Sequence, residues 1–408
     1  MEFSMDAVRD GYPLAAFQRL CAAATVPELL KAGDVAAMWN VNVARFFRTA
    51  LLCSPHGPGG LEEAPCPDIG GIVASPELGR FSLDAYLEQP AARMQGICVI
   101  HAGRIVYERY PLMRREQPHL WASCAKPLAG LAIELLIEDG CLDEERGFGA
   151  YMPEFRDTAW ADIRIRDAMD MTPGLDCEEN DETRADPDSI AIRAFLAEFG
   201  SAHRGRVETL RQVLRHVTPL RPAGTRFEYG SPTTQMLVLL AEAVSGRDWS
   251  QFMEERVWRH LRVDGPLQMH LSPDGVALAH GIASSTLRDM ARFGMLYTPS
   301  WSRISDTEVV RPATLARIRD RMRPRAFFMA GHDGKVFSDR FADDSILGAS
   351  RQWDCLWADG DMYKGGMMGQ ALYVSPGRDL VIAFFSTRAD MSSVRYLRPI
   401  ATSGLFGD

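Results

Sequence analysis

The sequence predicts an α/β (α+β) fold: a mainly antiparallel sheet covered by helices, with a helical lobe over one end. Three observations predict it. A β-rich hairpin pattern appears near residue 100, a strongly apolar helix follows it, and a second β-rich hairpin closes the chain after a long helical stretch.

The first ninety residues mix helical segments with a Pro/Gly-rich loop from Cys53 to Gly71, and read as an N-terminal extension, 1–90. From Gln95 the text GICVIHAGRIVYERY gives two β-rich runs around Ala102-Gly103, a hairpin signal. In WASCAKPLAGLAIELLIEDG, residues Leu128, Leu131, Ile133, Leu135 and Leu136 make an apolar helix that Gly140 closes. Residues 158–278 alternate helical segments with polar loops and read as an inserted helical lobe. ALYVSPGRDLVIAFFST returns to strands, with Pro376-Gly377-Arg378-Asp379 as the turn. Met391 to Leu405 is expected to close the fold as a helix. The sandwich domain is therefore assembled from 91–157 and 279–408.

The chain has 408 residues, 46% hydrophobic and 24% charged, enough for a large core and an enclosed site. A net charge of -9 without any basic run argues against nucleic acid as a partner. Eight cysteines lie scattered, with no CxxC pair and no Cys/His cluster at zinc spacing, so they are expected to be free core thiols and not metal ligands. The apolar stretches are too short to span a membrane, and Asp6, Arg9 and Asp10 interrupt the region where an export signal would lie. The expectation is a cytoplasmic protein without membrane contact, whose partner is a small molecule; a homodimer is left open.

Only four lysines occur, at 31, 126, 335 and 364, and only Lys126 has a serine three residues before it. One helical turn would place the Ser123 hydroxyl beside the Lys126 amine. A hydroxyl becomes a good nucleophile when a neighbouring base takes its proton, and a lysine serves when burial or nearby positive charge lowers its pKa. A helix beginning at Ser123 would add that positive field and aim N–H groups at the reacting centre.

The second chemical element is PAGTRFEYGSPTTQMLVLLAEAVSG. Ser231 reads as a helix N-cap or a substrate contact, Pro232 as first helical residue, and Gly246 as the stop. Tyr229 then projects from the preceding loop, where a phenol near ammonium groups can relay a proton. The third is YKGGMMGQALYV, in which Gly365 and Gly366 let substrate lie against a strand edge. The backbone N–H groups of Ser123 and Met367 are the expected oxyanion donors, while Lys364 would hold Tyr229 or bind a substrate carboxylate. Trp121 and Met368 are expected to line the pocket beside Met367. Cys124, His101, His280 and His332 are expected to be structural.

The order SCAK, YGS, KGGM resembles the Ser-x-x-Lys, Tyr-x-Asn/Ser and Lys/His/Trp-x-Gly motifs of class C β-lactamases, DD-peptidases and family VIII esterases. GRIVYERY, IRIRDAMDMTPGLD and GIASSTLRDMARFGML also resemble the 6-aminohexanoate-dimer hydrolase branch of this serine β-lactamase/penicillin-binding-protein superfamily, over approximately residues 95 to 390. The resemblance implies a β-lactamase/transpeptidase-like sheet flanked by helices, no cofactor, and a serine acyl-enzyme. Position 231 carries Ser where β-lactamases have Asn, and LDCEENDETRADPDS has no tyrosine to engage an oligoamide. The expected activity is hydrolysis of a small ester or amide through Ser123, Lys126 and Tyr229. Acyl transfer in secondary metabolism is the alternative, ahead of β-lactam hydrolysis or a non-catalytic sensor.

Overall fold

A computed structural model describes residues 3–29 and 31–407. Its main sheet has eight strands, numbered in chain order: β1 (Glu62–Glu63), β2 (Met94–His101), β3 (Arg104–Arg109), β4 (Gly348–Ser350), β5 (Trp353–Leu356), β6 (Met362–Gly366), β7 (Gln370–Ser375) and β8 (Leu380–Ser386). In space they run β4-β5-β6-β7-β8-β2-β3-β1. Every neighbouring pair is antiparallel except the short parallel contact of β1 with β3. Both expected hairpins form. Ala102 and Gly103 take positive φ (49° and 70°), as a tight two-residue turn requires, and Asp379 does so at the second turn.

Side chains alternate across a strand, so a sheet buried on both sides needs apolar residues at nearly every position. On β8, Leu380, Ile382 and Phe384 pack with Tyr86, Leu397 and Ile400 from elements near both ends of the chain. Val381, Ala383 and Phe385 face the opposite core. That second core holds α1 (Lys126–Glu138), α2 (Ser231–Ser245) and α3 (Leu287–Met295). Helices α1 and α2 pack on each other, and α3 lies across β8, β2 and β7.

A smaller antiparallel sheet runs Arg48–Leu52, Leu267–Leu271, Ala283–Ser285, His119–Leu120. It ties residues of the N-terminal extension to a strand at the end of the 158–278 stretch, so these segments share one framework. The closing segment is less regular than expected, a 3₁₀ turn at Ser392–Tyr396 followed by a short helix at Leu397–Ala401. Among the described residues no helix is long and apolar enough to cross a membrane.

Candidate active site

The strand His119–Leu120 leads straight into the segment bearing Ser123, and Trp121 N–H donates to Ala283 O at 2.8 Å. Ala122 then adopts φ 47°, the left-handed region, at a cost of about 1–2 kcal/mol for a residue with a Cβ. The kink leaves Ser123 half-buried within a run that is otherwise buried. Contrary to expectation, the α-helix does not begin at Ser123. A 3₁₀ turn covers Ala122–Ala125, and α1 starts at Lys126 with Pro127 in its first turn, where a missing N–H costs nothing.

Lys126 is completely buried. Its Nζ donates to His280 O at 2.7 Å, Ser231 Oγ at 2.9 Å and Ser123 Oγ at 3.4 Å. Burial pushes the amine down to about 7, and Lys364 adds to the effect while Glu179, Asp354 and Glu198 oppose it. A buried lysine near 7 supplies free amine at neutral pH.

Tyr229 lies in the loop before α2, with its ring 5.1 Å from Lys126 Nζ and 4.6 Å from Lys364 Nζ. Its phenol accepts from Lys364 Nζ at 3.3 Å and lies near enough to Ser123 for that hydroxyl to favour its ionised form. Burial, then Asp354 and Glu179, hold the phenol well above its usual range, so it stays protonated. The three side chains therefore meet, with the lysine as the group poised to take a proton.

The strand end of β6 abuts this turn backbone to backbone. A Cβ on Gly366 would come 2.8 Å from Trp121 O and 3.0 Å from Ala122 Cβ, so only glycine fits without displacing the turn that carries Ser123. Cys124 Sγ donates to Lys364 O at 3.2 Å, a further tie between turn and strand. Among the described residues, neither Ser123 N–H nor Met367 N–H donates to a turn or loop carbonyl. Groups capable of holding a metal ion do not cluster among the described residues.

The sequence model of the beta-lactamase family matches residues 83–403. The chain belongs to the beta-lactamase family. It is 24% identical over 331 residues to the 6-aminohexanoate-dimer hydrolase of Paenarthrobacter ureafaciens, covering 78% of this chain and 80% of that protein. A solved Bacillus anthracis structure, provisionally described as a 6-aminohexanoate-dimer hydrolase, superposes with a TM-score of 0.74 at 19% identity, covering 93% of this chain and 97% of that one. EstCE1, a hydrolase with promiscuous acyltransferase activity, gives 0.56 at 17% identity over 79% and 97% of the two chains. These likenesses carry the beta-lactamase-family fold, antiparallel sheets flanked by helices, and family membership makes the chain a hydrolase-type protein.

Within this beta-lactamase-family fold several expected pocket residues sit differently. Trp121 is fully buried against Trp258 and Phe293, and its indole N–H donates to Ser285 Oγ at 2.9 Å, so it supports the core instead of lining a pocket. Met368 turns inward at φ 64° and is buried, whereas Met367 stays 38% exposed. Lys364 is fully buried and ion-paired with Asp354, so no ammonium is left for a substrate carboxylate. Asp354 also accepts from Gly365 N–H at 3.0 Å. Gly230, not Ser231, is the N-cap of α2, which frees the Ser231 hydroxyl to face Lys126.

Three contributors escaped sequence reasoning: Asp354, Glu179 and the His280 carbonyl. Glu179 Oε1 accepts from Ser231 N–H at 2.6 Å. Burial opposes its charge, but Lys126, Arg184 and the Ser231 hydrogen bonds outweigh it and hold the carboxyl at about 2. An acidic residue in the EEND stretch was the one available signal, indistinguishable there from a solvated loop.

Proposed function

We propose that this chain is a serine hydrolase that cleaves a small ester or amide through an acyl-enzyme on Ser123. Lys126, as free amine, takes the Ser123 proton while the oxygen attacks the carbonyl carbon. The charge developing on the carbonyl oxygen falls to the N–H groups of Ser123 and Met367. Tyr229, still protonated, passes its proton to the departing alkoxide or amine and is reprotonated from the Lys126 ammonium, which restores the free amine. Water, deprotonated in turn by the same base, releases the acid.

The observation that carries this reading is a buried amine near pKa 7 hydrogen-bonded to the half-buried hydroxyl of a strained turn. Eight free thiols suit a reducing compartment and support a cytoplasmic site of action. The second reading, transfer of the acyl group to an alcohol or amine, is favoured by the acyltransferase activity named for EstCE1.

A fluorophosphonate probe tests the reading. Covalent labelling of the wild type and none of Ser123→Ala is expected; equal labelling of both would overturn it. With a labelled ester, the ratio of free acid to acylated acceptor separates hydrolysis from transfer.

A further inference from the structure

The Lys126 ammonium leans on a backbone carbonyl, and that carbonyl belongs to the residue tied down on the most sides around it. His280 O accepts from Lys126 Nζ at 2.7 Å. On the same residue, His280 N–H donates to Gln235 Oε1 at 3.3 Å, and Gln235 in turn uses its Nε2 to hold Ala277 O at 3.0 Å. Gln235 stands one turn beyond Ser231 on α2. The imidazole Nε2 lies 2.8 Å from Glu198 Oε1, and both side chains are less than a tenth exposed. Glu198 ends the helix Ile190–Glu198, and the next residue, Phe199, packs on Phe47. A lone histidine and a lone glutamate thus form a buried pair directly behind the base.

We propose that Glu198 and His280 are positioning residues for Lys126, clamping the 280 peptide so that its carbonyl fixes the amine toward Ser123 and helps set the pH at which that amine is free. This rests on the Ser123–Lys126 reading above. Neither residue contacts Ser123 or Tyr229 through its side chain among the described hydrogen bonds. The charged and titratable groups acting on Lys126 include Glu179, Lys364, Asp354, Glu198, Cys124 and Tyr229, and it touches His280 through the carbonyl. A carbonyl accepting from an ammonium, and a carboxylate near it, both favour the protonated amine. Loosening the clamp therefore moves the midpoint of base activation to lower pH.

The measurement is the fluorophosphonate labelling rate from pH 5 to 9 for wild type, Glu198→Gln, Glu198→Asp and His280→Ala, with folding checked by circular dichroism and thermal melting. Glu198→Gln keeps the shape beside the imidazole but removes the charge. Its midpoint is expected to fall by about half a unit or more. His280→Ala is expected to lower the plateau rate roughly ten-fold, because the amine is less well held. Glu198→Asp should recover most of the wild-type profile. Should His280→Ala fail to fold, Gln235→Leu replaces it, since it cuts the same peptide's N–H contact. Folded variants with wild-type midpoint and plateau would overturn the clamp. Labelling that survives in Ser123→Ala would instead remove the underlying reading, so the two failures are distinguishable.

Discussion

Two lysines are buried within reach of the same phenol, and they are served by opposite surroundings. Lys126 meets only uncharged acceptors at contact, two hydroxyls and a carbonyl. Lys364 meets the carboxylate of Asp354. The first arrangement leaves burial unopposed by a contacting anion, and the amine falls to about 7. The second commits an ammonium to a partner and leaves it as a fixed positive neighbour of Tyr229. On the proposed mechanism the same side chain serves as a base in one place and a scaffold in the other, and the atom type at contact decides which.

That contrast can be broken at several points. Lys126→Ala should reduce acylation by about three powers of ten while the fold survives, measured by burst kinetics with an activated ester. The wild-type rate should climb about tenfold per pH unit below 7 and level off above it, since the amine must lose its proton first; a flat profile from pH 5 to 9 would assign the base elsewhere. Asp354→Asn strands a buried ammonium at 364, so unfolding in urea should show a loss of about 3 kcal/mol, and because Asp354 favours the Lys126 ammonium the activity midpoint should also move to lower pH. Tyr229→Phe should slow acylation about a hundredfold without a comparable rise in KM, if the phenol works in the transition state. Glu179→Gln removes a carboxylate that favours the Lys126 ammonium, so the activity midpoint should move to lower pH. Trp121→Phe should cost about 1 kcal/mol through the lost bond to Ser285 and leave preference among ester chain lengths unaltered; a changed preference would put Trp121 back in the pocket.

Local features were legible in the sequence. Ser123 and Lys126 are one turn apart, so their meeting needs no tertiary information, and Tyr229 announces itself just ahead of the Ser-Pro start of α2. The near-continuous apolar runs around 102 and 378 likewise encode a sheet buried on both faces. What escaped lies across the chain: Asp354 reaches Lys364 through the β5–β6 pairing, and the His280 carbonyl is a backbone atom that no residue type advertises. Trp121 and Met368 were misjudged because adjacency in sequence does not fix the direction a side chain takes. Left-handed residues at 122 and 368 swing their neighbourhoods, burying one flank of each motif and exposing the other.

Gly366 has a consequence for anyone trying to change what this site accepts. With the strand edge already touching the backbone of the turn that carries Ser123, even a methyl there would press on the Trp121 carbonyl and the Ala122 side chain and shift that turn. Libraries that randomise this position should return clones with a displaced Ser123 turn, while the neighbouring Met367, whose side chain reaches solvent, should tolerate changes in size and polarity.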